Sequence, residues 1–312
     1  MGTPLYAIPV LERLISAGHA VEAVVTRPDV ASGRGRSLTP PAIKVYAEER
    51  GILVLQPESM RLKENLERLA DLRPDLIVVA AYGRILPPDV LNLPSKGVLN
   101  IHPSLIPRYR GPSPVATALL NGDKETGVTV MVTDEGLDTG PIVAQKREAV
   151  FSGDTTSVLT ERLFRIGAEL LVRVLPLWEK GQIKPLPQDE HMVSTTRLYK
   201  KQDGFIDWSL PAVSIERRLK AFDPWPGCYT QWKGKTLKII EGTVTEEAFE
   251  SHEPGEVVRV SGTSNKAAVA VVTGKGGLEL KQIQIEGRRR QDIQDFLLGY
   301  NEFVGSRLPS SR

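Results

Sequence analysis

Asn100 and His102 stand two residues apart in the run NIHPSLIPRYRG, which occupies residues 100–111 and follows the apolar stretch GVL. On a strand that spacing sends both side chains to one face. A carboxamide and an imidazole that share a face can donate to one developing oxyanion, if the strand ends at the ligand-binding edge of an open α/β sheet. Pro103 and Pro107 stiffen the residues that follow, so the backbone of PSLIP is held for hydrogen bonding to a flat heterocycle. The plain alternative for an isolated Asn-x-His is a histidine satisfying a core carbonyl and an asparagine capping a turn.

A second candidate is TDEGLDTG at 133–140, a loop with three carboxylates and two glycines. Asp138 is placed there to orient His102 or to receive a proton through water. Alone, this is an ordinary acidic turn. Together the two segments offer donors and a base, with no metal-ligand set beside them. Cys228 is the only cysteine, which excludes a disulfide within the chain and a paired-cysteine zinc site, and His19, His191 and His252 have no comparable company. No metal is expected. In SGRGRSL (32–38), glycines flank Arg34 and Arg36, side chains suited to phosphate. The run matches neither a Walker loop nor a dinucleotide fingerprint, so it points to an acidic partner rather than a nucleotide cofactor.

These residues need a scaffold. Short apolar runs alternate with helical periodicity up to about residue 150: a helix carrying Val10, Leu11, Leu14 and Ile15, then VEAVVT, PPAIKVYAEER, ILVLQ, a helix from Lys63, DLIVVAAYG and GVLNIH. Such alternation predicts an α/β domain with a mostly parallel sheet. TGVTVMVTDEG and PIVAQKREAV read as two further strands, and a long amphipathic helix with Leu159, Leu163, Ile166 and Leu170 on one side closes the domain. Residues 182–203, with Pro185 and Pro187 and little periodicity, read as a linker over the surface. CYTQWKGKTLKIIEG, GEVVRV, AAVAVVTG and GLELKQIQIEG then make the short-strand pattern of a small β-barrel. The organisation expected is a catalytic domain over 1–181, a linker over 182–203 and a barrel domain over 204–312.

With 312 residues, 41% hydrophobic and 25% charged, the chain suits a soluble protein with two cores. A net charge of +2 does not by itself announce a nucleic-acid binder. No apolar run approaches the roughly 20 residues that cross a bilayer, and the lone cysteine suits a reducing, cytoplasmic setting. No heptad or exposed apolar helix asks for a partner, so a monomer is expected. A doubly wound domain normally opens on a strand, whereas this chain opens on the turn MGTP. The expectation is that Met1 is an internal methionine and that the sheet's first strand lies upstream.

GTP at 2–4, GRGR at 33–36, AYGRILP at 81–87, NIHPSLIPRYRGPSP at 100–114, TGVTVMVTDEGLDTGPI at 126–142, IDWS at 206–209 and FDPWPG at 222–227 together resemble the methionyl-tRNA formyltransferase family across nearly the whole chain. The resemblance implies a Rossmann-like formyltransferase domain followed by an OB-like barrel that binds tRNA. It further implies 10-formyltetrahydrofolate as co-substrate and methionine-charged initiator tRNA as formyl acceptor. By matching positions, Asn100, His102 and Asp138 would carry catalysis, Ser104, Leu105, Ile106 and Pro107 would border the folate, and Arg34 and Arg36 would meet the tRNA. Arg108 and Arg110 would add positive potential near substrate phosphate or folate carboxylate. Two departures stand out: the first strand is missing and Leu5 replaces the acidic residue usual after GTP. A small amine acceptor such as a ribonucleotide or amino-sugar nucleotide, hydrolysis of the formyl-folate, and an inactive tRNA-binding homologue are the alternatives.

Overall fold

The computed structural model describes residues 1–32, 37–245, 247, 249, 251–261 and 268–310, with only the backbone of 31, 32 and 37. These form two compact units. The first comprises Met1–Val115, Lys124–Val150 and Val158–Arg197, and the second Ala116–Asp123, Phe151–Ser157 and Leu198–Arg312.

The chain enters the first unit through α1 (Ile8–Ser16) and β1 (Ala23–Val25), then the antiparallel pair β2 (Val30–Ser32) and β3 (Ser37–Thr39). α2 (Ala42–Glu48), β4 (Leu53–Leu55), α3 (Lys63–Asp71), β5 (Ile77–Val79) and α4 (Pro88–Leu91) follow. β6 (Val98–His102), β7 (Glu125–Val132), β8 (Ile142–Ala149) and α6 (Thr156–Glu179) complete the series, while α5 (Pro114–Asn121), between β6 and β7 in sequence, falls mostly in the second unit. β1 runs parallel to β4 and β5 parallel to β6, while β7 pairs antiparallel with β6 and β8 antiparallel with β7, which returns β8 to the direction of β6. The α/β alternation therefore forms the expected mostly parallel sheet, with β7 running against its neighbours β6 and β8.

Both faces of the sheet are covered. Val24, Leu99, Ile101, Val128 and Val130 pack with Val10 and Leu11 of α1, Ile43 of α2 and Phe164 and Leu171 of α6. Val25, Ile77 and Val98 pack on the other side with Leu69 of α3 and Val90 of α4. Alternation along β6 thus sends Leu99 and Ile101 to one core and puts Asn100 and His102 on the side of Val98. α6 can lie close on β6 because residue 167 is a glycine: a Cβ there would come within 2.6 Å of Ile101 Cγ2 and 2.9 Å of Val128 Cγ2.

Met1 and Gly2 stand in the row between β1 and β5. The Met1 amine donates to Val78 O (2.6 Å), Ala80 N donates to Met1 O (2.8 Å) and Gly2 N donates to Val25 O (3.0 Å). Beside them the row opens into a cavity of about 340 Å³ lined by, among others, Val10, Leu14, Val24, Ile77, Val78 and Leu175. Burial lowers the amine from 8.0 to about 5, since a cation in that setting loses its hydration.

The second unit carries α7 (Ala212–Ala221), then β9 (Cys228–Trp232), β10 (Lys235–Thr245), β11 (Val257–Val260), β12 (Ala268–Val272), β13 (Gly277–Ile285), β14 (Gln291–Asp292) and α8 (Ile293–Gly299). The strands form one antiparallel sheet in the order β11-β12-β13-β10-β9, with β14 on β13. Lys233 and Gly234, both at positive φ, make the two-residue turn between β9 and β10. Trp232 packs edge-on against Phe296 and Phe303. Cys228 is buried, and burial pushes its thiol up to about 12. Among the described residues no helix is long and apolar enough to cross a membrane.

The segment read as a surface linker is knitted onto the first unit as far as Thr196. Leu186 and Ile142 exchange two backbone bonds of 2.8 Å, Arg110 N donates to Ser194 O (2.9 Å) and Thr196 N donates to Arg110 O (2.8 Å).

Candidate active site

β6 ends at His102, at the C-terminal edge of the parallel β5·β6 pair, and this is where Asn100, His102 and Asp138 converge. Asp138 is the hub. Its Oδ1 lies 3.4 Å from Asn100 Nδ2, and its Oδ2 lies 3.5 Å from His102 Nδ1 and accepts from Gly111 N at 2.8 Å. The other ring nitrogen of His102 is 3.0 Å from the Tyr109 carbonyl. The His102 side chain is 5% exposed and that of Asp138 15%, so the pair is largely shielded from water.

An acceptor on each side of the imidazole has a chemical consequence. The ring presents Nε2–H to the Tyr109 carbonyl, which leaves Nδ1 as the working nitrogen across from the carboxylate. The contacts of Nδ1 and of Asn100 to Asp138 are long for hydrogen bonds, whereas Gly111 N and Tyr109 O hold theirs at ordinary lengths. The shorter bonds are therefore the ones to the backbone, and the contacts among the three side chains are the looser ones.

Two of the residues that set this geometry have left-handed backbones, Tyr109 at φ 63° and Asp138 at φ 56°. For residues other than glycine that conformation costs roughly 1–2 kcal/mol each and persists only where neighbouring contacts hold it. Those contacts are visible: Tyr109 N donates to Ser194 Oγ (2.9 Å), and Gln188 Nε2 donates to the carbonyls of Asp138 (2.9 Å) and Gly140 (2.7 Å).

Residues 104–107 lie directly after β6, but their backbone is committed inside the protein. Ile106 N donates to Thr129 Oγ1, Thr129 Oγ1 donates to Ser104 O, and Gln145 Nε2 donates to Ile106 O. The Ile106-Pro107 peptide is cis. Ser104 and Ile106 are buried, so Leu105 and Pro107 are the members of the group that keep exposed surface. Gly127 makes room for Leu105, because a Cβ there would lie 2.5 Å from Leu105 Cδ2 and 2.3 Å from Lys146 O.

Arg110 departs from its sequence reading. Its side chain is 8% exposed, its Nη2 pairs with Glu190 Oε1 at 2.8 Å and its Nε donates to Gln188 Oε1 at 2.8 Å. The guanidinium holds the Glu190 carboxyl below the usual carboxylate range. Its positive charge is thus neutralised within the first unit instead of being offered to substrate. Arg108 donates to Tyr109 Oη at 2.8 Å. Arg34 and Arg36 lie outside the described residues. Among the described residues no group of three or more His, Cys, Asp or Glu side chains is placed to hold a metal ion.

Sequence reasoning missed Tyr109, Gly111, Gln188 and Ser194. The first two act through backbone groups, which carry no side-chain signature. Gln188 and Ser194 sit far along the chain from their partners, on a segment whose only sequence signal was its lack of periodicity.

Asn100, His102 and Asp138 gathered at the strand ends of an α/β domain that is followed by an antiparallel β-domain belong to a chain that the comparisons place among the formyl transferases. Residues 1–175 match the family model described as formyl transferase, and residues 199–301 match that of the formyl transferase C-terminal domain. The chain belongs to the methionyl-tRNA formyltransferase family. It is 47% identical over 299 residues to the methionyl-tRNA formyltransferase of Chloroflexus aurantiacus, covering 96% of this chain and 95% of that protein. It is 42% identical over 308 residues to that of Geobacter metallireducens, covering 99% and 97%. Among solved structures, the N-formyltransferase from Helicobacter canadensis, in complex with folinic acid and dTDP-3-aminofucose, shares the fold at TM-score 0.62 and 20% identity, over 91% of this chain and 97% of that one. HypX from Aquifex aeolicus in complex with tetrahydrofolic acid does so at TM-score 0.60 and 20% identity, over 94% of this chain and 51% of that one.

Proposed function

We propose that the protein transfers the formyl group of 10-formyltetrahydrofolate to the α-amine of methionine on initiator tRNA, in support of translation initiation. The observation that carries this reading is the placement of Asp138 between Asn100 and His102 at the end of β6. As the amine nitrogen bonds to the formyl carbon, Asn100 donates its amide N–H to the carbonyl oxygen on which negative charge grows. His102, anchored through Nε2 on Tyr109, offers protonated Nδ1 to the same oxygen. Asp138 offsets the charge of the ring, takes the amine proton through water and returns it by the same route to the folate nitrogen as the bond from formyl carbon to that nitrogen breaks.

Leu105 and Pro107, with Ser104 and Ile106 beneath them, form the wall proposed to border the folate. They fit that role as an apolar surface on a rigid frame, given how many of their backbone groups are bonded internally. Arg34 and Arg36 are proposed to meet the tRNA. The division into a catalytic domain over 1–181, a connection over 182–203 and a tRNA-binding domain over 204–312 belongs to the same reading and is supported by the two family matches. So does action as a cytoplasmic monomer, where charged initiator tRNA is used.

The test is transfer of labelled formyl to methionine-charged initiator tRNA, with a free small amine and water as competing acceptors. Asn100→Ala and Asp138→Asn are each expected to lower kcat by about 10²- to 10³-fold. Turnover close to that of the unmodified protein in either variant removes that residue from the mechanism, and transfer to the small amine alone removes the tRNA reading.

A further inference from the structure

The residue with the most complete set of contacts around the reactive trio belongs to none of the motifs. Gln188 lies on the stretch that leads out of the first unit. A carboxamide can donate twice and accept, and this one does so toward three different groups: Nε2 donates to the carbonyls of Asp138 (2.9 Å) and Gly140 (2.7 Å), and Oε1 accepts from Arg110 Nε (2.8 Å). It arrives there by local pairing. Leu186, two residues earlier, bonds to Ile142 at the start of β8, so the antiparallel run carries Gln188 onto the loop that precedes β8.

Both carbonyls that Gln188 holds flank the reactive carboxylate. The Asp138 backbone is left-handed, a conformation the chain abandons unless its peptide groups are tied down. Arg110, on the other side of the amide, adjoins the two backbone groups that define the site, the Tyr109 carbonyl facing His102 and the Gly111 N–H donating to Asp138 Oδ2. Ser194 completes the clamp by bonding to Tyr109 N through its hydroxyl and to Arg110 N through its carbonyl.

We propose that Gln188 is a positioning residue for Asp138, fixing the carboxylate against His102 and Gly111, so that residues 186–196 form a strap over the site. This rests on the catalytic role assigned to Asp138 above. Gln188→Glu isolates the effect: it keeps the size and the acceptor for Arg110 but removes both donors and sets a carboxylate against two carbonyls. Glu190→Gln is the control, since it weakens the Arg110 cluster without touching the donors to the Asp138 loop.

The expected result is a fall in kcat of about tenfold to a hundredfold in Gln188→Glu, the scale of a misplaced catalytic group. KM for both substrates stays within about twofold, and the pH profile of kcat shifts because the histidine–carboxylate distance changes. Glu190→Gln loses far less. A second measurement does not depend on turnover: amide hydrogen exchange at Gly111 and at residues 136–140 quickens in Gln188→Glu, while amides of β7 and of the second unit keep their rates. Unchanged exchange at Gly111 overturns the proposal whatever the activity. So does a pH profile and kcat equal to those of the unmodified protein, or an equal loss in both variants. Absence of formyl transfer in the unmodified protein would instead sink the functional reading and leave the exchange result to judge the strap.

Discussion

The two halves of the sheet in the first unit are built to different standards. From β5 to β8 each strand pairs with the next, with one register shift between Val130 and Met131, and Asn100, His102 and Asp138 meet at the end of the second of those strands. β1 and β4 form a separate pair whose backbone bonds toward β5, among the described residues, run through Met1 and Gly2, with a cavity beside them. Side-chain geometry good enough for catalysis requires a frame whose strands cannot shift, and the site is on the half that has one. The other half contributes helix packing.

The half that carries the site is the more sensitive to steric change. Gly167→Ala drives a methyl into Ile101 and Val128 beneath the site, and overpacking of this kind costs about 1–3 kcal/mol. Thermal denaturation should show that loss together with reduced turnover, because Ile101 lies between Asn100 and His102. A stable, fully active variant would mean that α6 moves away without disturbing β6.

The smallest effect is expected where sequence drew attention without structural reason. Leu5 is 68% exposed, so Leu5→Asp should change stability by no more than about 0.5 kcal/mol, as surface substitutions usually do. Formyl transfer should be unaffected. A clear change in KM for either substrate would assign position 5 to a binding surface.

Much of this was legible in the sequence, for identifiable reasons. The two-residue spacing of Asn100 and His102 fixed their common face, and the alternation of apolar runs with helical periods located β1, β4, β5 and β6. The reversal of β7 was not readable, because a strand buried on both faces has the same apolar pattern in either direction. Tyr109 and Gly111 act through a carbonyl and an N–H, groups that every residue type but proline possesses. Arg110 was read as free charge because its partner Glu190 is remote in sequence, and ion pairs formed by folding leave no local trace.

Cys228 extends these observations to the second unit. It is the chain's only thiol, it is buried, and burial holds it in the protonated form at any ordinary pH. The thiolate is the form that attacks a thiol reagent, so uptake of such a reagent is limited by how often β9 comes away from its sheet. The cysteine is thereby a built-in clock for opening of the second unit, one that needs no substituted or added reporter.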